Sequence, residues 1–567
     1  MCASGTHIAD YIDRNMAGKR VAIIGAGSSG LTSIKCCLEE GLQPVCYEMS
    51  DDIGGLWYYR EETPAGGDRL NASVYKSCSI NTSKEMMSFS DFPIPVSFPP
   101  FMPHNKVLEY FKMYATHFNL LKYIKFKCKV VEVTPTDNHL ETGQWKVSTV
   151  CLGEQGEDDS EVTSEVFDGV MVCSGHHRFP HKPAFEGMSR FKGRVLHSSE
   201  YKKQSTFEDK KVLVIGMGNS AADIATDASY VAKQVDISTR RGSWIFSRFF
   251  PGGLPADFLA NTRFMMGIPN KILEWMVELM VNFKYSGENY GLQAFHRGLE
   301  AHPTIHDYIT IRIMSGYIRV RPSITHFTSD GAVFDDGHFE KFDTVVMATG
   351  YEYKFPFLDD KIIYNGSDSI NTYKFTFLPH LQRPESLAFI GLVQAIGAVM
   401  PIAELQARWF ARVISGKAQL PPTARMYDYI ETRWQEVNET YVKTKRHDNL
   451  ETFWVPVMDD IASEIGVKPN MVSLLKEEPL FAVRCFFGPC VPAQYRLHGP
   501  HSKPVQAKRM IENTFSNITR STQYRKVEAV MKKREVTWSQ RLVSIKVLLY
   551  TLTFVFLAFL LAHMHLI

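Results

Sequence analysis

Short apolar runs, each followed by glycine or small polar residues, recur along the chain. Runs this short and this apolar predict strands that are buried on both faces, as in parallel sheets. Residues with helical spacing stand between several of them, so the pattern predicts an α/β fold. The runs that carry this prediction span residues 21–24, 44–48, 167–173, 211–215, 234–239 and 342–348.

The first run leads into three glycines with the spacing G-x-G-x-x-G, after which a helical pattern begins. This arrangement lets a dinucleotide pyrophosphate approach the backbone at the N-terminus of a helix. Glu48 ends the second run, where a carboxylate suits the hydroxyls of a free ribose. We therefore predict an FAD site, with Leu56 and Trp57 beside the planar ring. The predicted residues of the turn are Gly25, Ala26, Gly27, Ser28, Ser29 and Gly30.

A second glycine motif, G-x-G-x-x-A, follows the run at residues 211–215. Thr239 stands as far beyond Gly216 as Glu48 stands beyond Gly25, and Arg240 and Arg241 follow it. A carboxylate at this position would repel a 2′-phosphate, whereas two arginines attract it. The second unit therefore favours NADPH, although a solvated basic pair is the alternative for the arginines. The other predicted contacts of this unit are Gly218, Asn219, Ser220, Ala221, Ala222 and Asp223.

The two motifs predict two nested Rossmann-like dinucleotide-binding domains, one for FAD and one for NADPH. Residues 153–165, rich in Glu and Asp, are predicted to form a polar loop. The predicted organisation is an N-terminal extension (1–18), the first part of the FAD domain (19–185), the NADPH domain (186–345) with a helical insertion (about 250–310), the second part of the FAD domain (346–445), a C-terminal region (446–540) and a membrane-anchor helix (541–567).

The net charge, the cysteine content and the two ends of the chain limit which partners and which cellular compartment fit this protein. The formal net charge of the 567 residues is +2, which gives no argument for nucleic acid. The ten cysteines do not resemble a disulfide framework, so a reducing compartment fits. Residues 1–19 lack the apolar segment of a signal peptide. Residues 547–562 carry no charge and follow a basic stretch, which predicts a C-terminal anchor with most of the chain in the cytosol.

The residues also limit what can take electrons from the flavin. A disulfide reductase needs a redox pair near the first unit, but Cys485 and Cys490 are far from it in sequence. His176–His177 and His302/His306 lack the companions of a metal site, and no Ser-His-Asp arrangement is visible. No metal is therefore predicted, and molecular oxygen remains as the acceptor.

At this point the motifs resemble those of a known family. Residues 191–201 reproduce the pattern F-x-G-x-x-x-H-x-x-x-[YF] of flavin-containing monooxygenases, and residues 52–57, 173–177 and 348–351 are also similar to that family. The resemblance is to the animal microsomal, drug-metabolising branch, and residues 238–242 and 296–303 look closest to its fifth isoform. The chain departs from the pattern in its N-terminal extension and in a few extra residues between Trp57 and Lys76.

The resemblance implies a reaction cycle. NADPH reduces FAD, O₂ adds to the flavin C4a atom, and the hydroperoxide gives one oxygen to a soft nitrogen or sulfur nucleophile in a small lipophilic xenobiotic. Ile80 and Asn81 match the family's residues at the flavin, and Asn81 is the matched catalytic asparagine. His197 and Tyr201 match the fingerprint and are expected to hold the domains together. The resemblance also implies the endoplasmic reticulum membrane, with the lipid bilayer contacted through the C-terminal segment, and a homo-oligomer remains open.

Two alternative activities remain open from the sequence. A Baeyer–Villiger monooxygenase inserts oxygen beside a ketone or aldehyde carbonyl; that class usually has Trp at the position of Tyr201, yet members that resemble the fifth isoform are associated with ketone oxidation. The second alternative is an NADPH oxidase that releases hydrogen peroxide.

Overall fold

The computed structural model describes residues 18–61, 74–152, 158–250, 252–441 and 450–524. The predicted anchor (541–567) and all but the last residue of the predicted extension (1–18) lie outside these ranges. Described residues up to Thr519 belong to one compact unit. No helix in the described ranges combines the length and the apolar character that crossing a bilayer requires.

Residues 18–185 hold the start of the first nucleotide unit and an antiparallel sheet beside it. The strands are β1 (Arg20–Ile24), β2 (Gln43–Tyr47), β3 (Ile124–Lys125), β4 (Cys128–Pro135), β5 (Trp145–Leu152), β6 (Asp158–Phe167), β7 (Gly169–Val172) and β8 (Phe179–Pro180). The helices are α1 (Ser28–Glu39), α2 (Lys84–Met87), α3 (His104–His117) and α4 (His139–Thr142).

Residues 186–349 hold the second nucleotide unit. The strands are β9 (Arg194–His197), β10 (Lys211–Ile215), β11 (Gln234–Ser238), β12 (Ile245–Phe246), β13 (Thr304–Ile305), β14 (Ile318–Arg321), β15 (Ile324–Phe327), β16 (Gly331–Phe334), β17 (Phe339–Lys341) and β18 (Thr344–Met347). The helices are α5 (Asn219–Ala228), α6 (Asp257–Ala260), α7 (Arg263–Met266), α8 (Asn270–Lys284) and α9 (Ile309–Met314).

The remainder returns to the first unit and ends in helices. The strands are β19 (Tyr351–Glu352), β20 (Leu387–Phe389), β21 (Gln394–Ile396) and β22 (Glu451–Phe453). The helices are α10 (Asp360–Tyr364), α11 (Val399–Ile414), α12 (Thr423–Thr440), α13 (Trp454–Glu464), α14 (Met471–Glu477), α15 (Pro479–Phe487) and α16 (Pro504–Arg520).

Two parallel sheets of five strands each form the centres of the nucleotide units. The first has the order β20-β7-β1-β2-β3 and the second the order β14-β11-β10-β18-β9. The apolar runs predicted as strands supply the central members of both sheets, and residues 21–24 and 212–215 are buried. The α/β fold is thus confirmed. Strand β20 is the edge strand of the first sheet, yet it follows every strand of the second sheet in the sequence. The second unit is therefore nested within the first.

The prediction of a polar loop at residues 153–165 is wrong for its second half. Residues 158–167 form β6, which pairs antiparallel with β5 and lies at the edge of the sheet β4-β5-β6. Residues 161–164 are exposed. Charged and polar side chains suit an exposed edge strand because they discourage pairing with other chains. The acidic composition therefore marks an edge strand here and not a loop.

A buried ionic cluster ties the C-terminal region to the first unit. The side chain of Arg496 is fully buried, and its Nη2 lies 2.8 Å from Glu404 Oε1 on α11 and 3.4 Å from Asp91 Oδ2. Asp91 also pairs with Lys35 on α1 at 2.6 Å and with Lys503 at 2.8 Å. The hydrophobic core of the first unit likewise continues into residues 450–518. The predicted boundary at residue 446 therefore does not divide a core.

Candidate active site

The first glycine turn combines two tight contacts with one open position. Gly25 has φ +102°, and an added Cβ would lie 2.8 Å from the Cys173 carbonyl oxygen. A Cβ on Gly30 would lie 1.9 Å from the Gly25 carbonyl oxygen. A Cβ on Gly27 would meet no described protein atom closer than Gly55 Cα, at 3.7 Å. Gly27 thus leaves space at the N-terminus of α1, where a pyrophosphate would be bound.

Glu48 lies at the end of β2, buried beside this turn. Its Oε2 accepts a hydrogen bond from Ala26 N at 2.7 Å, and its Oε1 accepts one from Ser50 N at 2.8 Å. These bonds fix the carboxylate in place. Each oxygen keeps a further lone pair, so the side chain can still accept from ribose hydroxyls. The residues fit the nucleotide of FAD.

The second turn repeats this geometry. Gly216 has φ +112°, and its added Cβ would lie 2.5 Å from the Ala348 carbonyl oxygen. A Cβ on Gly218 would meet no described atom within 4 Å. Gly218 precedes α5 as Gly27 precedes α1, so each helix N-terminus opens onto unfilled space. Ala221 and Ala222, which belong to α5, are fully buried where this helix packs on the core.

One cavity of about 520 Å³ joins the two units. It also receives the start of α11 at Val399 and Met400. Most of the predicted first-unit residues line it, together with three predicted residues of α5. These lining residues are Gly25, Gly27, Ser28, Ser29, Glu48, Leu56, Trp57, Ile80, Asn81, Asn219, Ser220 and Asp223. The other predicted residues of the two turns do not line this cavity. They are Ala26, Gly30, Gly216, Gly218, Ala221 and Ala222.

Arg240 and Arg241 line a separate open cavity of about 480 Å³ together with Phe295 and His296. Within the described residues, neither arginine forms an ion pair. Partial burial and the neighbouring Arg240 lower the pKa of Arg241 from its usual value. Two unpaired cations beside an exposed aromatic ring fit a phosphate and an adenine. Thr239 is hydrogen-bonded to the adjacent strand of the sheet, β14, because its backbone N donates to the Arg321 carbonyl oxygen at 3.0 Å.

Asn81 lies on the cavity wall in the segment that precedes α2. Its Oδ1 accepts hydrogen bonds from Arg248 Nη2 at 2.6 Å and from Arg248 Nε at 3.1 Å. Arg248 follows β12, in the insertion of the second unit. This arginine was not predicted from the sequence, because 167 positions separate it from Asn81 and no motif connects them.

The fingerprint residues bind protein groups outside the cavity wall. His197 Nδ1 accepts from Ser199 N at 3.2 Å, and Nε2 lies 3.0 Å from the Gly350 carbonyl oxygen. The ring therefore donates from Nε2 and joins β9 to the turn that leads back to the first unit. Tyr201 OH donates to Asp227 Oδ2 on α5 at 2.7 Å. Both side chains therefore bind neighbouring segments of the second unit and the turn after it, and their expected role in holding the domains together stays a prediction.

Two of the histidines considered as metal ligands, His302 and His306, lie near different carboxylates. His306 Nε2 lies 3.1 Å from Asp223 Oδ1, whereas His302 Nδ1 lies 3.6 Å from Glu451 Oε2. His302 and His177 line the cavity.

The two C-terminal cysteines lie outside the cavity wall. Both are buried free thiols. Burial raises the pKa of Cys485 to about 12 and that of Cys490 to about 11. A thiol that stays protonated is a poor nucleophile. These residues therefore do not supply the redox pair of a disulfide reductase.

Comparison with known proteins agrees with this geometry. The sequence model of the flavin-binding monooxygenase-like family matches residues 18–563. Flavin-containing monooxygenase 5 of Rattus norvegicus is 44% identical over 548 residues, which cover 95% of this chain and 98% of the relative. Dimethylaniline monooxygenase [N-oxide-forming] 2 of Macaca mulatta is 43% identical, covering 85% of this chain and 89% of its own.

The fold recurs in a solved structure, that of S-allyl-L-cysteine S-oxygenase from Allium sativum. Its TM-score is 0.59 at 24% identity, with 88% of this chain and 99% of that chain covered. Two nucleotide turns open onto one cavity that Asn81 also lines. The chain belongs to the flavin-binding monooxygenase-like family. It is a flavoprotein monooxygenase, and the prediction that FAD and NADPH are its cofactors is confirmed.

Proposed function

We propose that the chain uses NADPH and O₂ to oxygenate soft nitrogen or sulfur atoms in small lipophilic molecules, xenobiotics included. One oxygen atom enters the substrate and the other leaves as water, while NADPH becomes NADP⁺. FAD supplies the redox chemistry when it is bound. The protein brings both nucleotide units to one cavity and offers an uncharged amide there at Asn81.

The observation that carries this proposal is the shared cavity. Helices α1 and α5 both bring their N-terminal turns to it, and Asn81 lies on the same wall. An amide can donate a hydrogen bond to a negatively polarised oxygen without adding charge. The relative named for N-oxide formation, at 43% identity, supports nitrogen as one of the acceptors.

The test gives the purified full chain a tertiary amine, a thioether or a ketone, with NADPH and O₂. Products, NADPH consumed and hydrogen peroxide released are measured together. We expect an N-oxide or S-oxide formed close to one per NADPH. Ester formation from the ketone as the main product would favour the Baeyer–Villiger alternative, and peroxide matching NADPH with every substrate would favour the oxidase.

We also propose that residues 541–567 anchor the chain in the endoplasmic reticulum membrane. The support is the uncharged run at 547–562 and the length of the family match, which continues to residue 563. A truncation before Leu542 should move the protein from the membrane pellet to the supernatant. Light scattering of the truncated protein then gives its oligomeric state.

If the truncated chain still pellets completely with membranes, the anchor proposal fails and another surface must hold it. Helix α8 would be the next candidate, because Phe283 is 93% exposed and Leu279 is 54% exposed on it. Replacing both with serine in the truncated chain would test that surface.

We propose that the catalytic part faces the cytosol. Five sequons, at Asn71, Asn81, Asn365, Asn438 and Asn517, would then carry no glycans. Treatment of microsomal protein with an endoglycosidase should leave its mass unchanged. A mass shift that is lost on replacing one of these asparagines would place that residue in the lumen.

A further inference from the structure

Asn81 has a fixed partner on one side only. A guanidinium group carries donors and no acceptor, so the side chain of Arg248 can bind only the oxygen of the Asn81 amide. Two N–H groups converge on that oxygen, at 2.6 and 3.1 Å from it. In the described part of the chain, no protein group accepts a hydrogen bond from Asn81 Nδ2. The two amide hydrogens therefore remain for whatever occupies the cavity.

Arg248 is itself anchored. Its Nη1 lies 3.1 Å from Asp307 Oδ2, and its backbone N donates to Asp307 Oδ1 at 3.2 Å. Ser247 Oγ donates to the same Oδ1 at 2.6 Å. Side-chain exposure is only 10% for Arg248 and 14% for Asp307. The segments that carry these residues follow β12 and β13, which pair with each other. The guanidinium is therefore held in one place.

We propose that Arg248 is a positioning residue that fixes the orientation of the Asn81 amide. A terminal amide rotates between two orientations that differ little in shape. In one, Nδ2 faces the cavity and can donate to a negatively polarised oxygen. In the other, Oδ1 faces it and repels that oxygen. Arg248 and Asp307 select the first orientation and also draw electron density toward Oδ1, which makes the N–H groups better donors.

This role rests on the proposed function, in which Asn81 donates to the reacting oxygen. In this proposal, Arg248 in the insertion of the second unit contributes to the oxygen chemistry that takes place at the first unit. Arg248 lies outside the residues that line the cavity, so it acts through Asn81 and not by direct contact.

The test compares Arg248→Met, which removes every donor, with Arg248→Lys, which keeps a positive charge and one donating group. Arg312→Met is the matched control, because Arg312 donates to Ser229 Oγ at 2.7 Å and does not line the cavity. Each variant is made in the parent and in the Asn81→Ala background. FAD content, NADP⁺ affinity and hydrogen peroxide per NADPH are measured for all of them.

We expect Arg248→Met to keep its FAD and its NADP⁺ affinity while peroxide per NADPH rises to within about twofold of the Asn81→Ala value. Arg248→Lys should recover part of the coupling, and Arg312→Met should match the parent. In the Asn81→Ala background, Arg248→Met should add nothing. A further rise there, or a parental ratio in the single variant, would overturn the proposal.

A second readout does not depend on catalysis. In cofactor-stripped protein, Arg248→Met and Asn81→Ala should each lower the apparent Tm, and the double variant should lose less than the two losses combined. Additive losses would mean that the two side chains are not coupled. If the parent oxygenates no substrate but the losses are non-additive, the proposed function fails while the contact stands.

Discussion

The two nucleotide units share one backbone plan and differ in the residues that come after their second strand. Gly25 and Gly216 both have positive φ, at +102° and +112°, and an open glycine precedes the helix in each unit. After β2 comes Glu48, buried and bonded to two backbone N–H groups. After β11 come two arginines on an open surface. The first unit thus places a buried, fixed carboxylate beside its turn, whereas the second places positive charge on an open surface.

The largest expected effect separates the two turns. Gly27→Val would place a branched side chain in the space left for a pyrophosphate, and we expect colourless protein without FAD. Gly218→Val should instead keep the yellow flavin and lose NADPH binding. Absorbance after purification and NADP⁺ titration measure the two losses. Full flavin content in Gly27→Val would show that the first unit is not the FAD site.

A substitution where the units meet should spare both cofactors. Asn81→Ala removes a donor without adding bulk, and one preorganised donor contributes about 3–4 kcal/mol to a developing charge. In stopped-flow mixing of reduced enzyme with O₂, we expect oxidised flavin to return about 100- to 1,000-fold sooner, with peroxide as the product. Unchanged kinetics and parental product yield would leave Asn81 with a structural role only.

The open face of the second unit gives a smaller effect. Replacing Arg240 or Arg241 by alanine should raise KM for NADPH about tenfold each, near the lower end for a charged hydrogen bond because the site is exposed. KM for NADH should change little, since NADH has no 2′-phosphate. Steady-state kinetics with both coenzymes check this. Equal losses for the two coenzymes would mean that the arginines stabilise structure instead.

The smallest effect concerns the contact between Asp257 on α6 and the segment before α2. Asp257 Oδ2 accepts from Ser83 N at 2.7 Å, but its buried Oδ1 has no partner among the described residues. Burial raises the pKa of Asp257 to about 6, against a partly compensating bond from Ser83. The neutral acid thus stabilises the fold fully below about pH 4, and this contribution is lost as the pH rises through about 6.

Asp257→Asn should therefore flatten the dependence of Tm on pH between 5 and 7. Across this pH range the free energy of unfolding should change by about 1 kcal/mol because of Asp257. Thermal melts of parent and variant at both pH values measure it. Identical pH profiles would show that Asp257 ionises as it does in the unfolded chain.

The parts predictable from the sequence were those fixed by local spacing. Gly25, Gly27 and Gly30 are close in sequence, and their turn depends on little beyond the strand before it and the helix after it. The acidic stretch before Phe167 was wrongly predicted to be a loop, because polar residues suit loops and exposed edge strands alike. The Arg248–Asn81 contact could not be predicted, because it depends on how the insertion folds back over the first unit. The same holds for His302, whose neighbour Glu451 lies far along the chain.

The nested sheets have a consequence for biosynthesis. Residues 194–347 contain every strand of the second sheet, so that sheet can form as soon as this stretch has left the ribosome. The first sheet has to wait for β20 at residues 387–389, and its ionic cluster waits for Arg496 and Lys503. The domain whose synthesis begins first is therefore completed last. A premature stop codon near residue 480 would leave Asp91 and Glu404 without Arg496, so such a transcript would yield a chain unable to finish its flavin domain.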